Sequence, residues 1–175
     1  SSVKDIYIDG KWKTVLISSL GAGGHSFFAL DITDPDNPKH LFTVNNDSSN
    51  GLVTFWNENG DDEIFAHNSS ILPENDYRKL GETWSTPRIV KLKISGSDKW
   101  VAIAGGGYNG ATNPNYGSAV FIIDLENDGK LINKIDIQDK SSIDIVNSIP
   151  SDLTIITADS TENAKYHGAL VYAFD

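Results

Sequence analysis

The residues best suited to chemistry lie in a polar stretch of the chain where oxygen-bearing side chains recur at every second position. They are Asn57, Asn59, Asp61 and Glu63. Calcium in proteins takes about six to eight oxygen ligands, and the first half of a calcium-binding loop supplies them at alternate positions. The stretch therefore predicts either a calcium site formed by these four residues or an ordinary solvated loop, and the sequence leaves both open.

A second acidic series has similar spacing but a simpler explanation. Segment 124–129 (Asp-Leu-Glu-Asn-Asp-Gly) places carboxylates at alternate positions, but Ile135 occupies the position where a calcium loop carries its last carboxylate. Asn, Asp and Gly are residues that turns favour. We interpret this series as the turn of a β-hairpin.

Catalysis has little support in the sequence. The chain has no cysteine, which excludes disulfides and thiolate catalysis. Its serine pairs lack the context of a nucleophile elbow. The histidines are scattered without metal-ligand spacing, and we interpret them as surface or cap residues. They are His25, His40, His67 and His167. We therefore expect a binding or assembly module rather than an enzyme.

A phrase that occurs three times predicts the elements that position these residues. In each copy a glycine is followed by apolar residues and then by an aspartate, and the copies span 24–31, 117–124 and 168–175. Segments rich in β-branched residues precede each copy, and turn residues follow the first two. Consecutive antiparallel strands, four to a repeated unit, describe the blades of a β-propeller.

The fold prediction is all-β, with about three blades of four-stranded antiparallel sheet, whereas propellers typically have about 4–8 blades. Residues 1–175 would form a partial propeller domain, with blade units at about 3–46, 82–138 and 143–175. Residues 47–79 interrupt the repeat as a polar insertion, either a loop or a hairpin across Asn59-Gly60 that projects from one face. We expect the chain to be a fragment of a larger propeller, whose remaining blades are a partner.

Composition limits the other partners. The net charge is −10, and Arg78 and Arg88 are the only arginines. Nucleic acid is bound through basic patches, which this chain lacks. No apolar run reaches the length of a membrane span. We therefore expect no nucleic-acid partner and no membrane span in this segment.

The phrases on both sides of the insertion resemble one known family. In amino-acid sequence and in order they closely resemble the C-terminal, quinoprotein-like β-propeller of the PilC/PilY family of type IV pilus tip proteins. We expect Trp84 and Trp100, which belong to these phrases, to pack between sheets. The segments that carry the resemblance are 12–17 (WKTVLI), 20–24 (LGAGG), 28–35 (FALDITDP), 80–87 (LGETWSTP), 99–101 (KWV) and 106–109 (GGYN).

The resemblance implies a bacterial protein at the pilus tip or cell surface, either outer-membrane associated or extracellular. It implies a role in pilus assembly, in opposing retraction, and in adhesion and twitching motility. Pilus subunits or minor pilins and a host-surface ligand are the implied partners. Several members bind calcium in a loop of this propeller. The corresponding residues 147–153 are too short and hold one carboxylate, so that loop is predicted to be missing here.

One enzymatic alternative remains. Propellers of the quinoprotein type carry a similar blade phrase, so the chain could instead be a fragment of a quinone-dependent (PQQ) dehydrogenase. That chemistry needs a cofactor funnel with basic residues and a set of calcium ligands. The chain offers few cations and no adjacent cysteines. We favour the non-enzymatic pilus module.

Overall fold

The computed structural model describes residues 1–109, 116–137, 148–156 and 170–173. These residues form three antiparallel sheets of six, four and two strands, which confirms the predicted all-β fold. One turn of 3₁₀ helix, Pro73–Asn75, is the helical element of the described chain. Within these ranges no helix is long and apolar enough to cross a membrane.

The first sheet contains six strands that pair in chain order. It joins the four strands expected for one blade to two strands that come from the insertion. The strands are β1 Ser2–Ile8, β2 Lys11–Ser19, β3 Ser26–Asp31, β4 Lys39–Asp47, β5 Leu52–Trp56 and β6 Asp62–Ala66.

The inserted hairpin extends the edge of this sheet, which differs from the expected projection from one face. β5 pairs with β4 and places Phe55 opposite Val44. Val53 and Phe55 are buried in the same core as Val44. The apolar alternation of β5 thus continues the buried face of the blade and fixes the register of the hairpin.

β6 is the edge strand that the hairpin adds. Its first residues, Asp62 and Glu63, are exposed acids. Charged side chains on an edge strand discourage pairing with another chain. The insertion therefore replaces the edge of β4 with a more acidic one.

The second sheet has the four strands predicted for a blade, and the third is described in two. The strands are β7 Arg88–Ile94, β8 Ser97–Gly105, β9 Ala119–Asp124, β10 Leu131–Asp136, β11 Thr154–Ile156 and β12 Leu170–Tyr172. The repeated phrase supplies β3, β9 and β12, one strand in each sheet. The predicted start of the third unit at 143–147 and its end at 174–175 lie outside the described residues.

The second sheet is buried on both faces. Phe121 on one face shares a core with Phe27 and Phe42 of the first sheet. On the opposite face, Ile103 packs with Leu153, beside β11 of the third sheet. Full burial of one such side chain is worth about 1.5–3 kcal/mol. Face-to-face stacking of successive sheets is the packing expected of propeller blades.

The sheets approach one another closely at a glycine. Gly107 has φ +91°, and a Cβ atom there would collide with the carbonyl oxygen of Glu82. Gly107 also donates a backbone hydrogen bond to Ile149 at 3.0 Å. Only glycine combines this dihedral with this lack of volume, so the phrase 106–109 is explained by architecture.

The two tryptophans expected between sheets behave differently. Trp100 is half-buried against the core, and the Lys4 ammonium lies 5.5 Å from its ring centroid. Trp84 is 51% exposed, and its Nε1 donates to a carboxylate oxygen of Glu82 at 3.0 Å. The prediction is wrong for Trp84, because the ring lies over Gly21 at the surface instead of entering a core.

Candidate functional site

The four predicted calcium ligands lie in and beside the turn between β5 and β6. The side-chain oxygen of Asn57 accepts hydrogen bonds from the backbone amides of Asn59 and Asp61, at 2.9 and 3.0 Å. Its amide nitrogen donates to the Asp61 carboxylate at 3.4 Å. Glu63 is exposed within β6. The structure thus assembles three of the four residues in a self-bonded hairpin turn.

This arrangement commits the Asn57 oxygens to the turn. Its backbone carbonyl accepts from the Gly60 amide at 3.0 Å and from Nδ1 of His40 at 2.9 Å. Among the described residues, no three His, Asp or Glu side chains converge as metal ligands. That search does not count asparagines, so calcium binding at the turn stays a prediction.

The second acidic series is the hairpin turn that its sequence predicts. It joins β9 to β10, and the Asp124 carboxylate accepts from the Glu126 amide at 2.9 Å. Lys99 donates to the same carboxylate at 2.7 Å, and this hydrogen bond raises the pKa of Lys99. The carboxylates here stabilise the turn and its neighbouring strand.

Two of the histidines support the insertion and are not simple surface residues. His40 accepts from the Thr43 hydroxyl through Nε2 at 2.8 Å, besides the bond to Asn57. His67 donates from Nε2 to the side-chain oxygen of Asn46 at 2.8 Å. Burial, reinforced by the charge of Arg78, lowers the pKa of His67. His25 lies 3.5 Å from the Ser48 hydroxyl, and His167 lies outside the described residues.

A buried carboxylate, Asp76, ties the end of the insertion to the second sheet. Arg78 donates to its two oxygens at 2.8 and 3.1 Å, and Lys134 of β10 donates at 2.5 Å. Burial alone would raise the pKa of Asp76, but these hydrogen bonds overcome it and hold the pKa well below its ordinary value. A second ion pair, Lys79 with Asp136 at 3.0 Å, joins the same segments.

Next to Asp76, the fully buried ring of Tyr77 lies between the first two sheets. It stacks on Phe121 of β9 at a centroid distance of 5.1 Å and meets Phe55 of β5 edge-on at 5.6 Å. Its hydroxyl donates to the Gly129 carbonyl at 2.6 Å. Burial, with the charge of Asp124 nearby, raises the pKa of Tyr77. One side chain thus contacts the insertion, a blade strand and a blade turn.

The chain after Tyr77 makes polar contacts with both sheets. Its Gly81 amide donates to the carbonyl of Gly106, directly after β8 of the second sheet, at 2.8 Å. Asn46 of β4 donates to the Leu80 carbonyl at 2.7 Å. The buried Thr83 hydroxyl accepts from the Leu20 amide at 2.9 Å and lies 3.0 Å from the Ser26 carbonyl, to which it donates. We call residues 75–85 the inter-sheet segment.

The composition of the inter-sheet segment does not predict its buried position between the sheets. Residues 73–79 read Pro-Glu-Asn-Asp-Tyr-Arg-Lys, which is typical of a solvated loop. Its partners on β10 are more than fifty residues away in sequence, as the separation of 58 between Asp76 and Lys134 shows. The available signal is one aromatic residue, Tyr77, within an otherwise polar run. The charged groups of this junction bind one another and stabilise the fold, whereas Oδ1 of the buried Asn75 has no hydrogen-bond partner among the described residues.

The outer face of the first sheet, which faces away from the second sheet, is apolar and incompletely covered. Aligning the two sheets on their repeated phrase places Val3 at the position of Ile89 and Phe28 at that of Phe121. Val3 is 53% exposed where Ile89 is 5% exposed, and Phe28 is half-buried where Phe121 is fully buried. The outer face of the first sheet is therefore partly exposed, whereas the corresponding face of the second sheet is covered by a neighbouring sheet.

The Asp76 junction has a testable dependence on pH. We expect Lys134→Met to lower the free energy of unfolding by about 1–2 kcal/mol at neutral pH, because Asp76 loses a charged donor and keeps Arg78. Asp76 has a depressed folded-state pKa, so its stabilising effect is present above its unfolded pKa and declines as the pH falls below about 4. The unfolded-state pKa is the same in both proteins, so the difference between wild type and variant should persist at about pH 4, where Asp76 is still ionised in both folded proteins.

Urea denaturation at neutral pH and at about pH 4 measures this difference. Lys93→Met, at an exposed position of β7, is the control and should have little effect. Equal losses in the two variants, or a Lys134→Met loss that vanishes at about pH 4, would contradict this role of Asp76.

Comparison with known proteins identifies the family of the chain. The family model described as the PilY1 beta-propeller domain matches residues 1–175. The type IV pilus biogenesis factor PilY1 homolog of Xylella fastidiosa is 37% identical over 139 residues, which are 79% of this chain and 7% of that protein. The type IV pilus biogenesis factor PilY1 of Pseudomonas aeruginosa (strain UCBPP-PA14) is 32% identical over 141 residues, or 81% of this chain and 9% of that protein.

A solved structure gives the same result for the fold. The crystal structure of the Pseudomonas aeruginosa PilY1 C-terminal domain matches with a TM-score of 0.60 and 28% identity, over 98% of this chain and 26% of that one. The chain thus covers about a quarter of the solved domain and less than a tenth of the length of each of these two relatives. These matches confirm the resemblance to the PilC/PilY family, and the chain belongs to the PilY1 β-propeller family.

Proposed function

We propose that the chain is a non-enzymatic module of a type IV pilus biogenesis protein, located at the pilus or the bacterial surface. The observation that supports this most directly is the family match along residues 1–175. In this proposal the module supports pilus assembly, opposes retraction and contributes to adhesion and twitching. Its partners are pilus subunits or minor pilins and a host-surface ligand.

The polar groups of the site are consistent with a binding role. The carboxylates and cations of the inter-sheet segment bind one another, as in the pairs of Asp76 with Arg78 and of Lys79 with Asp136. The histidines His40 and His67 support the insertion. A general base or nucleophile needs a reactive atom that is free to meet substrate. These groups stabilise the junction of the first two sheets instead.

The first partner in this proposal is a further blade of the same propeller, seated on the outer face of the first sheet. Val3 is exposed and Phe28 is half-buried at positions whose counterparts in the second sheet are covered by a neighbouring sheet. The solved relative is a longer chain, of which this one covers 26%. An added blade would bury this apolar face at about 25 cal/mol per Å².

The pilus role is tested in the bacterium that encodes the chain. In-frame deletion of the segment encoding residues 1–175 is expected to reduce surface pili, twitching and adherence together, because the module supports assembly. Sheared-pilus yield, twitching-zone diameter and adherent cell number are the measurements. Lys93→Met at an exposed site is the matched control and should leave all three unchanged. Normal piliation and adherence in the deletion strain would contradict the proposal.

Calcium modulation is a further part of the proposal, and the β5–β6 turn is its candidate site. Asn59, Asp61 and Glu63 have exposed side chains there, whereas Asn57 is held by backbone amides. Because the turn must give up these hydrogen bonds or bind with fewer ligands, we expect weak affinity, with a Kd of about 0.1–1 mM.

Calorimetric titration of the chain with calcium measures this affinity. Asp61→Asn is expected to abolish the heat of binding, since it removes a carboxylate from the turn. Asp128→Asn, in the turn between β9 and β10, is the matched control and should titrate like the wild type. Absence of binding in the wild type at millimolar calcium would remove the site, as would equal loss in both variants.

A further inference from the structure

Two aromatic side chains are exposed side by side on β1 and β2. Tyr7 and Trp12 are directly opposite each other, with ring centroids 5.6 Å apart and an interplanar angle of 64°. Tyr7 is 52% exposed and Trp12 is 65% exposed. Adjacent exposed aromatic rings are a costly surface in water and commonly mark a binding site.

Packing against a neighbouring blade does not account for this pair. When the first two sheets are aligned on their repeated phrase, Tyr7 and Trp12 fall at the positions of Lys93 and Asp98. Those two residues remain exposed on a face that the first sheet covers. A blade seated in the same way on the first sheet would therefore leave Tyr7 and Trp12 accessible.

Trp12 forms one wall of a cleft of about 250 Å³. The other walls include the cations Lys11 and Lys39 and the polar residues Asp34 and Asn37, all exposed. The cleft thus combines one flat apolar surface with charged and amide groups that can donate or accept hydrogen bonds. Its volume is slightly below the roughly 300 Å³ at which pockets for drug-sized ligands begin.

The floor of the cleft is held in place by hydrogen bonds. The Thr33 hydroxyl donates to the Asp31 carboxylate at 2.5 Å and accepts from the Thr14 amide at 2.9 Å. Burial opposes ionisation of Asp31, but the hydrogen bonds from Thr33 and the charges of Lys13 and Lys39 lower its pKa overall. Asp31 is therefore a fixed, ionised acceptor in the lining of the cleft.

We propose that this cleft binds a saccharide, with one pyranose ring stacked on Trp12. The C–H face of a pyranose is apolar and weakly positive, and it complements the negative face of an indole ring. Each sugar hydroxyl both donates and accepts, so it requires acceptors such as Asp34 and donors such as Lys39 in the same cleft. Trp12 gives binding area, and the surrounding polar groups fix the ring orientation.

The charge of the cleft and of the chain disfavours other ligands. Lys11, Lys13 and Lys39 are offset by Asp31 and Asp34 in the cleft and by Asp9, which lies 3.8 Å from Lys13. A strongly anionic ligand is therefore not selected, and a net charge of −10 disfavours nucleic acid.

This inference names a ligand class for the adhesive part of the proposed function and rests on it. Saccharide binding is measured on the purified chain, whereas piliation is measured on cells. A failure of one is therefore distinguishable from a failure of the other.

Calorimetric titration of the chain with three neutral oligosaccharides, cellohexaose, chitohexaose and mannohexaose, tests the proposal. We expect binding of at least one of these oligosaccharides with a Kd in the millimolar range or tighter. Trp12→Ala should weaken it about tenfold or more, which corresponds to about 1.4 kcal/mol. Trp12→Phe, which keeps a flat ring at the site, should retain most of the affinity and shows the effect without loss of the fold.

Trp84→Ala is the matched control, because Trp84 is another exposed tryptophan outside the cleft. Its affinity should equal that of the wild type. A wild type that binds none of the three oligosaccharides would overturn the proposal. So would wild-type affinity in Trp12→Ala, or the same loss in Trp84→Ala as in Trp12→Ala.

Discussion

The burial of Tyr77 between the first two sheets is the interaction on which the rest of the structure depends. Its ring stacks on Phe121, touches Phe55 edge-on and hydrogen-bonds the Gly129 carbonyl. Asp76 beside it binds Lys134 of β10. Tyr77 is buried at 0% exposure within a polar run, so the surrounding hydrogen bonds and ion pairs are what allow that run to enter the interior.

This constraint changes the meaning of the insertion. A polar interruption of a repeated fold is expected to be an accessory loop. Here its hairpin extends the first sheet to six strands, and its last residues begin the inter-sheet segment, which contacts both sheets. The blades are therefore linked twice, by their apolar faces and by this segment. The aromatic pair of Tyr7 and Trp12 lies on β1 and β2, outside this linkage.

The strands could be predicted because their causes are local. Short apolar runs and the turn residues after the aspartates define β3, β4, β9 and β10 from sequence neighbours alone. The junction could not be predicted, because Asp76 and Lys134 meet only after two sheets have stacked. The size of Trp84 predicts a core position, yet size alone does not decide burial. The Trp84 ring lies over Gly21 and stays at the surface.

The predicted calcium turn shows a similar limit. The alternating oxygens of Asn57 to Glu63 are equally suited to a cation and to a hairpin, because both need side-chain oxygens aimed inward. In the structure the Asn57 oxygen is aimed at backbone amides. Spacing alone cannot distinguish these uses, since it does not say whether the loop's own amides or an ion occupies its centre.

The central claim is that Tyr77 couples the inserted hairpin to the second sheet, and amide hydrogen exchange tests it most directly. Removing a fully buried aromatic ring costs about 3–5 kcal/mol. Tyr77→Ala should therefore speed exchange in both β5 and β9, whereas Tyr77→Phe, which keeps the stacked ring, should affect both far less. Faster exchange in only one of these strands, or unchanged exchange in both, would contradict the account.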